Sequence, residues 1–242
     1  MATAILIDGA YFIKRFRAIE PASKHDYNRA GQAAVEWALA HLHRENDPTR
    51  TLNTRADLYR IFFYDCPPVE KKMHNPITKA AIDFKNSDEA VFRRGLHEYL
   101  RKERKVALRL GHLSNEVDWT LKSEVIQQLL KKQISLAQLT ADSVTLSVRQ
   151  KGVDMRIGID ITSIVLKKQA TQIVLIAGDA DFVPAAKLAR REGVDFVLDS
   201  MWGHIHPSLH EHVDGLRTTC PKPGQTGSVR ALWFGQRNNV TR

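Results

Sequence analysis

Residues 173–198 read Ile-Val-Leu-Ile-Ala-Gly-Asp-Ala-Asp-Phe-Val-Pro-Ala-Ala-Lys-Leu-Ala-Arg-Arg-Glu-Gly-Val-Asp-Phe-Val-Leu. The apolar, β-branched run Ile173 to Ala177 has the length of a buried strand. A helical pattern follows Phe182 through Leu188 to Arg191 and stops near Gly193, and Val194 to Leu198 reads as a second strand. A strand, a helix and a strand in so short a span form a parallel unit. The same alternation recurs outward from it. Thr3 to Ile7, Leu58 to Tyr64, Val106 to Leu110 and Val144 to Val148 read as strands. Between them, Ala34, Trp37, Ala38, His41 and Leu42 mark one helical face, and Val91, Gly95, Leu96, Tyr99 and Leu100 mark another, with Ser87 as its N-cap. A further helix runs from about Leu121 to Leu130. The pattern predicts an α/β fold with a mainly parallel sheet covered on both faces.

One stretch supports two readings. Val153-Asp-Met-Arg-Ile-Gly-Ile-Asp-Ile161 alternates as a strand would, yet Ile157, Ile161, Ile164 and Val165 also share a helical face. The run is too long for a comfortable strand, which favours a helix despite Gly158. From Thr218 the chain holds Pro221, Pro223, Gly224, Gly227 and Gly235 and reads as an extended appendage. The expected division is therefore a domain over residues 1–217 and a basic tail over 218–242.

The chain has 242 residues, with 36 Lys and Arg against 27 Asp and Glu, for a formal charge of +9. Hydrophobic residues make up 43% and charged residues 26%, which excludes a mainly disordered chain. No apolar run approaches the roughly 18 residues of a membrane-spanning helix. The opening residues lack the pattern of a signal peptide. Cys66 and Cys220 are too few for a disulfide framework. A reduced, cytoplasmic setting without a membrane partner is expected. The positive balance points to a polyanion, nucleic acid first. Arg93, Arg94, Arg101, Lys102, Arg104 and Lys105 crowd one segment, and the tail carries Lys222, Arg230, Arg237 and Arg242 without an acid.

The familiar nucleotide and hydrolase signatures are missing: no G-x-G-x-x-G, no G-x-x-x-x-G-K-[ST], no G-x-S-x-G and no C-x-x-C. What remains is a set of aspartates at strand ends. Asp8 closes the first strand, and Asp179 and Asp181 follow another. In an open parallel sheet all such ends share one edge, where ligands bind. Asp154 can join them from a helix start. Converging carboxylates lose their charge unless a cation intervenes, and a hard oxygen set without His suits Mg²⁺ or Mn²⁺. Each aspartate also has a plainer reading as a helix cap or turn residue.

The order and spacing of six blocks resemble the NYN domain nucleases of the PIN-like superfamily, in their LabA-like branch. The blocks are Ile-Leu-Ile-Asp8-Gly9, Phe63-Tyr-Asp-Cys-Pro-Pro68, Leu108-Arg-Leu-Gly111, Gln150-Lys-Gly-Val-Asp154, Val174 to Pro184 and Ala189-Arg-Arg-Glu-Gly-Val194. The resemblance implies a three-layer α/β/α sandwich, Mg²⁺- or Mn²⁺-dependent ribonuclease activity, and Asp8, Asp154, Asp179 and Asp181 as the catalytic and metal-binding acids. It also favours a helix from Val153. Asp160 falls in a matching block but lies about 120° around such a helix from Asp154, as a supporting acid at most. The family often has Asn two residues after the Asp-Gly pair, where this chain has Tyr11.

Lys151 is a candidate phosphate ligand, and Tyr11, Phe12 and Tyr64, just after strand ends, are candidate stacking partners for unpaired bases. His204, His206, His210 and His212 form a dense group in which His206 and His210 have a zinc-compatible spacing, although a solvated loop and helix is the favoured reading of them. The leading expectation is an endoribonuclease acting on single-stranded or structured RNA. The alternatives are an RNA-binding or scaffold protein with a vestigial site, and a DNA-directed nuclease on the same fold. An extra strand before Lys151 leaves room for a homodimer.

Overall fold

The computed structural model describes residues 2–42 and 57–224. In chain order the elements are β1 (Thr3–Asp8), α1 (Gly9–Ile19), α2 (Tyr27–Ala40), β2 (Leu58–Asp65), β3 (Lys72–His74), β4 (Ala81–Asp83) and α3 (Asp88–Lys102). There follow β5 (Val106–Leu110), β6 (His112–Leu121), α4 (Ser123–Leu130), β7 (Val144–Lys151), α5 (Val153–Leu166) and β8 (Gln172–Ile176). The last are α6 (Val183–Arg191), β9 (Asp195–Asp199), α7 (Pro207–His210) and β10 (Gly215–Leu216).

Six strands form a parallel sheet in the order β10-β9-β8-β1-β2-β5. Its strands are apolar on both faces, as a doubly covered sheet requires. Ala4 and Leu6 of β1, Phe62 and Tyr64 of β2 and Ile173 and Leu175 of β8 point to one side. There they meet Val153, Ile157, Ile161, Ile164 and Val165 of α5 and Ala185, Ala186 and Ala189 of α6. The alternate residues Ile5, Ile7, Ile61, Phe63, Val174 and Ile176 face Phe12 and Phe16 of α1, Trp37 of α2 and Phe92, Leu96 and Leu100 of α3. This is the three-layer α/β/α arrangement. Among the described residues no helix is long and apolar enough to cross a membrane.

Strand order rises outward from β1 through β2 and β5 on one side, and from β8 through β9 and β10 on the other. The sheet therefore has its topological switch point between β1 and β8, and a crevice opens there at the carboxyl ends.

Two features differ from the sequence reading. The strand Val144–Lys151 lies outside the parallel sheet: its hydrogen-bonding partner is β6 of the same chain, antiparallel, in a two-stranded arm that also carries α4. Trp119 on this arm packs on Phe84, and the Asn75 side-chain amide donates to the Ala141 carbonyl at 3.2 Å, fastening the arm to the β3–β4 hairpin. The chain after Leu216 also does not leave the body at Thr218. Thr219 and Cys220 are buried, and the Thr219 hydroxyl donates to the Trp37 carbonyl at 2.7 Å. Arg230, Trp233, Phe234, Arg237 and Arg242 of the expected tail lie outside the described residues.

The alternating stretch after Gly152 is the helix α5. Gly152 takes a left-handed conformation (φ 80°), which turns the chain sharply from β7 into the helix. Ile161 is fully buried while Ile159 is 59% exposed. On a strand these two would share a face; on a helix they stand about 200° apart. Ile161→Ala should therefore cost about 3 kcal/mol in urea unfolding, within the usual range for a buried branched side chain. Ile159→Ala should stay within about 0.5 kcal/mol of wild type. Equal losses at both positions would contradict the helix.

Candidate active site

Asp8 is the last residue of β1 and the N-cap of α1: its carboxylate accepts the Tyr11 backbone N–H at 3.2 Å. Gly9 follows because nothing larger fits. A Cβ there would stand 2.4 Å from the Tyr64 carbonyl oxygen and 3.0 Å from Asp65 Cβ. The Asp-Gly pair thus lets α1 start directly against the end of β2.

The neighbouring strand β8 ends beside Asp8 and delivers Gly178 and Asp179. Asp179 opens a short 3₁₀ turn, accepting the Asp181 backbone N–H at 3.3 Å, and α6 follows. Its capping role is therefore real, and it leaves the rest of an exposed carboxylate at the crevice. Asp154 comes from the opposite layer, in the first turn of α5. Helix N-termini favour nearby negative charge, and Asp8, Asp154 and Asp179 each stand at the start of a helical segment.

The electrostatics join these groups. Burial, with further repulsion from Asp154 and Asp65, raises Asp8 from an ordinary 3.8 to about 6, against the stabilising Tyr11 amide. Asp154 is also raised, first by partial burial and then by Asp181 and Asp179. Asp154 is thus within electrostatic reach of Asp8 on one side and of Asp181 and Asp179 on the other. Among the described residues, no three His, Cys, Asp or Glu side chains are gathered tightly enough to hold a single ion. The donor chemistry suits a hard divalent cation, since Asp8 and Asp154 are both raised in part by neighbouring carboxylates and a cation would relieve this.

Several expected contributors are placed elsewhere. Tyr64 is fully buried, with its hydroxyl donating to Asp160 at 2.8 Å, so its ring cannot stack on a base. Phe12 is likewise core. The Tyr11 hydroxyl donates to the Ser200 carbonyl at 2.5 Å, and its ring occupies space that Cβ atoms at Gly178 and Gly203 would need. Tyr11 is therefore a brace between α1 and the segment after β9, rather than a free stacking surface. Lys151 is exposed at the end of β7, three residues before Asp154. Asp160 points away from the cluster, to Tyr64 and Arg109. His206 caps α7 through Ser208, and the histidine group forms no metal site among the described residues.

The sequence reading missed the group behind Asp8. Asp65, at the end of β2, is wholly buried; His97 binds one carboxylate oxygen at 2.8 Å and Arg93 the other. Arg93 also pairs with Glu89 at 2.7 Å. The basic segment expected to hold nucleic acid is thus partly spent: Arg93 turns inward, Arg94 pairs with Glu70, and Lys102 with Glu98. The i, i+4 spacing of Arg93 and His97 was the only clue that two donors share one helical face. The same holds for buried His41, 3.0 Å from Asp199 across the molecule, which no local pattern announces.

Because the folded chain holds the Asp8 proton more tightly than the unfolded chain, the stability it contributes is complete below about 3.8 and lost as pH rises through about 6. Asp8→Asn keeps the cap and removes the charge. It should raise stability at pH 7 by about 3 kcal/mol, with the gain vanishing near pH 4, in denaturant melts across that range. A gain independent of pH would contradict this origin.

No curated protein and no solved structure matches the chain. A family match does exist: residues 81–214 match the NYN domain, covering α3 to the end of α7, with Asp154, Asp179 and Asp181 inside it. With more than half its length matched, and the carboxylate edge built as described, the chain belongs to the NYN domain family, a nuclease-type domain.

Proposed function

We propose that the protein is a metal-dependent endoribonuclease of the LabA-like branch, hydrolysing RNA at the crevice between β1 and β8. The observation that supports this reading is the mutual repulsion that links Asp8 to Asp154, and Asp154 to Asp181 and Asp179 of the turn after β8, with Asp8 and Asp154 both driven toward protonation by burial and these neighbours. A fold that gathers like charges at a cleft makes a place for a cation or for proton transfer.

Asp8, Asp154, Asp179 and Asp181 would hold Mg²⁺ or Mn²⁺. Such an ion, when bound, activates water and stabilises the leaving oxygen of a phosphodiester. The chain's own residues supply the rest. The Tyr11 and Ala10 amides fix the Asp8 carboxylate. The Asp65–Arg93–His97 group props the neighbouring strand end and keeps a second buried acid neutralised. Lys151, exposed at the end of β7, would hold a phosphate of the strand. With water as nucleophile rather than the ribose 2′-hydroxyl, products carry 5′-phosphate and 3′-hydroxyl ends.

Matched RNA and DNA substrates, each with Mn²⁺ and with EDTA, test the reading. RNA should be cut only with metal, and Asp179→Asn should lower the rate by at least about a hundredfold while the protein stays folded, because Asn still caps the turn. A folded Asp179→Asn protein that cuts RNA at the wild-type rate would contradict the assignment. Metal-dependent cleavage of DNA alone would move it to the DNA-directed reading.

A further inference from the structure

Away from the carboxylates, the layer under α5 opens at the outer edge of the sheet into a cleft of about 320 Å³. This is the small end of the size range for ligand pockets. Tyr59, Phe62 and Arg109 wall it from β2 and β5, Asp160 and Ser163 from α5, and Lys167 from the C-cap of α5. These last three stand at i, i+3 and i+7, so they form one stripe along the helix and its cap. Arg60, Ala107, Ile164 and Gln169 also line it.

The cleft is unevenly charged. Arg60, Arg109 and Lys167 face a single acid, Asp160. Asp160 is shared between Arg109 at 3.3 Å and the Tyr64 hydroxyl at 2.8 Å. Arg60 and Lys167 have no ion-pair partner among the described residues. The two ends also differ in kind. At one end the Arg109 guanidinium lies over the Phe62 ring, 5.6 Å from its centre, while 46% of the side chain remains exposed. A guanidinium held on a ring presents its outer face as a stacking platform for a base. Arg60 lies four residues earlier on β2 than Tyr64, which pairs with Arg109, and Lys167 lies seven residues beyond Asp160 on α5. These two cations therefore stand at the far end, where a phosphate would suit them. Asp160 and Ser163 lie between, as acceptors for hydroxyl or amino groups.

We propose that this cleft binds a nucleotide, with the base on Arg109, the sugar hydroxyls toward Asp160 and Ser163, and the phosphate at Arg60 and Lys167. The site is separate from the carboxylate cluster and does not rest on the cleavage reading. Asp160 is about 9 Å along the axis of α5 from Asp154, and on a different side of the helix. The bound unit is either a free mononucleotide or one unpaired nucleotide of an RNA strand, and the two sources call for separate arms of one experiment.

Adenosine 5′-monophosphate, adenosine and inorganic phosphate are titrated into the full chain by calorimetry with EDTA present, beside a short single-stranded RNA. The free-nucleotide arm predicts that the monophosphate binds at least tenfold more tightly than adenosine or phosphate, since both ends of the cleft contribute. Arg109→Met and Lys167→Gln should each weaken it at least fivefold, and Arg60→Gln provides a further exposed variant should either fail to fold. Asp179→Asn should bind as wild type does. Binding of the RNA alone, with the same dependence on Arg109 and Lys167, supports the site with the strand as source. Binding indifferent to these substitutions, phosphate bound as tightly as the nucleotide, or no binding in either arm would overturn the proposal.

Discussion

Asp8 sits where its own charge is unwelcome, and the arrangement around it answers that constraint. It closes a fully buried strand, and burial, with repulsion from Asp154 and Asp65 added, raises it to about 6. The fold compensates in two ways. It aims the start of α1 at the carboxylate through the Tyr11 amide. It also neutralises the adjacent Asp65 with Arg93 and His97. Asp154 and Asp179 likewise stand at the starts of helical segments. Amide dipoles make such positions tolerable for anions but do not remove their mutual repulsion. The remaining imbalance faces the crevice at the switch point of the sheet.

The parts of this arrangement legible in the sequence are those set by local pattern. Strand-length apolar runs, turns ending in Asp, and the helical face of Ile157, Ile161 and Ile164 depend on neighbours a few residues away. They placed five of the six parallel strands; the two-residue β10 carries no such run, and Val144 to Val148, also read as a strand, pairs in the antiparallel arm instead. Parallel order then brings strand ends together whatever the intervening chain does. The illegible parts depend on distant partners. Nothing near Tyr64 announces that its hydroxyl goes to Asp160, 96 residues later. Tyr11 looked like a stacking residue because its glycine-lined slot is built from Gly178 and Gly203. The β6–β7 arm was half seen, since β6 mixes polar residues with apolar ones and carries no strict alternation.

Charge was the least readable property. The basic segment around α3 suggested a nucleic-acid surface, yet its arginines are divided between inward and outward roles. Arg93 is committed to the buried Asp65, and this supports the active edge from behind. Arg109 and Lys167, unremarkable in sequence, lie instead on the open cleft beneath α5. Net charge counts both kinds alike; only the partner of each cation separates structural from ligand-facing charge.

The central claim is that Asp8, Asp154, Asp179 and Asp181 act as one site for a divalent cation. Mn²⁺ binding followed by electron paramagnetic resonance tests it without reference to any substrate. The account predicts one or two ions bound by the folded protein, and binding weakened by removing the charge of any one of the four acids. No binding at millimolar Mn²⁺, or binding that survives all four substitutions unchanged, would contradict it.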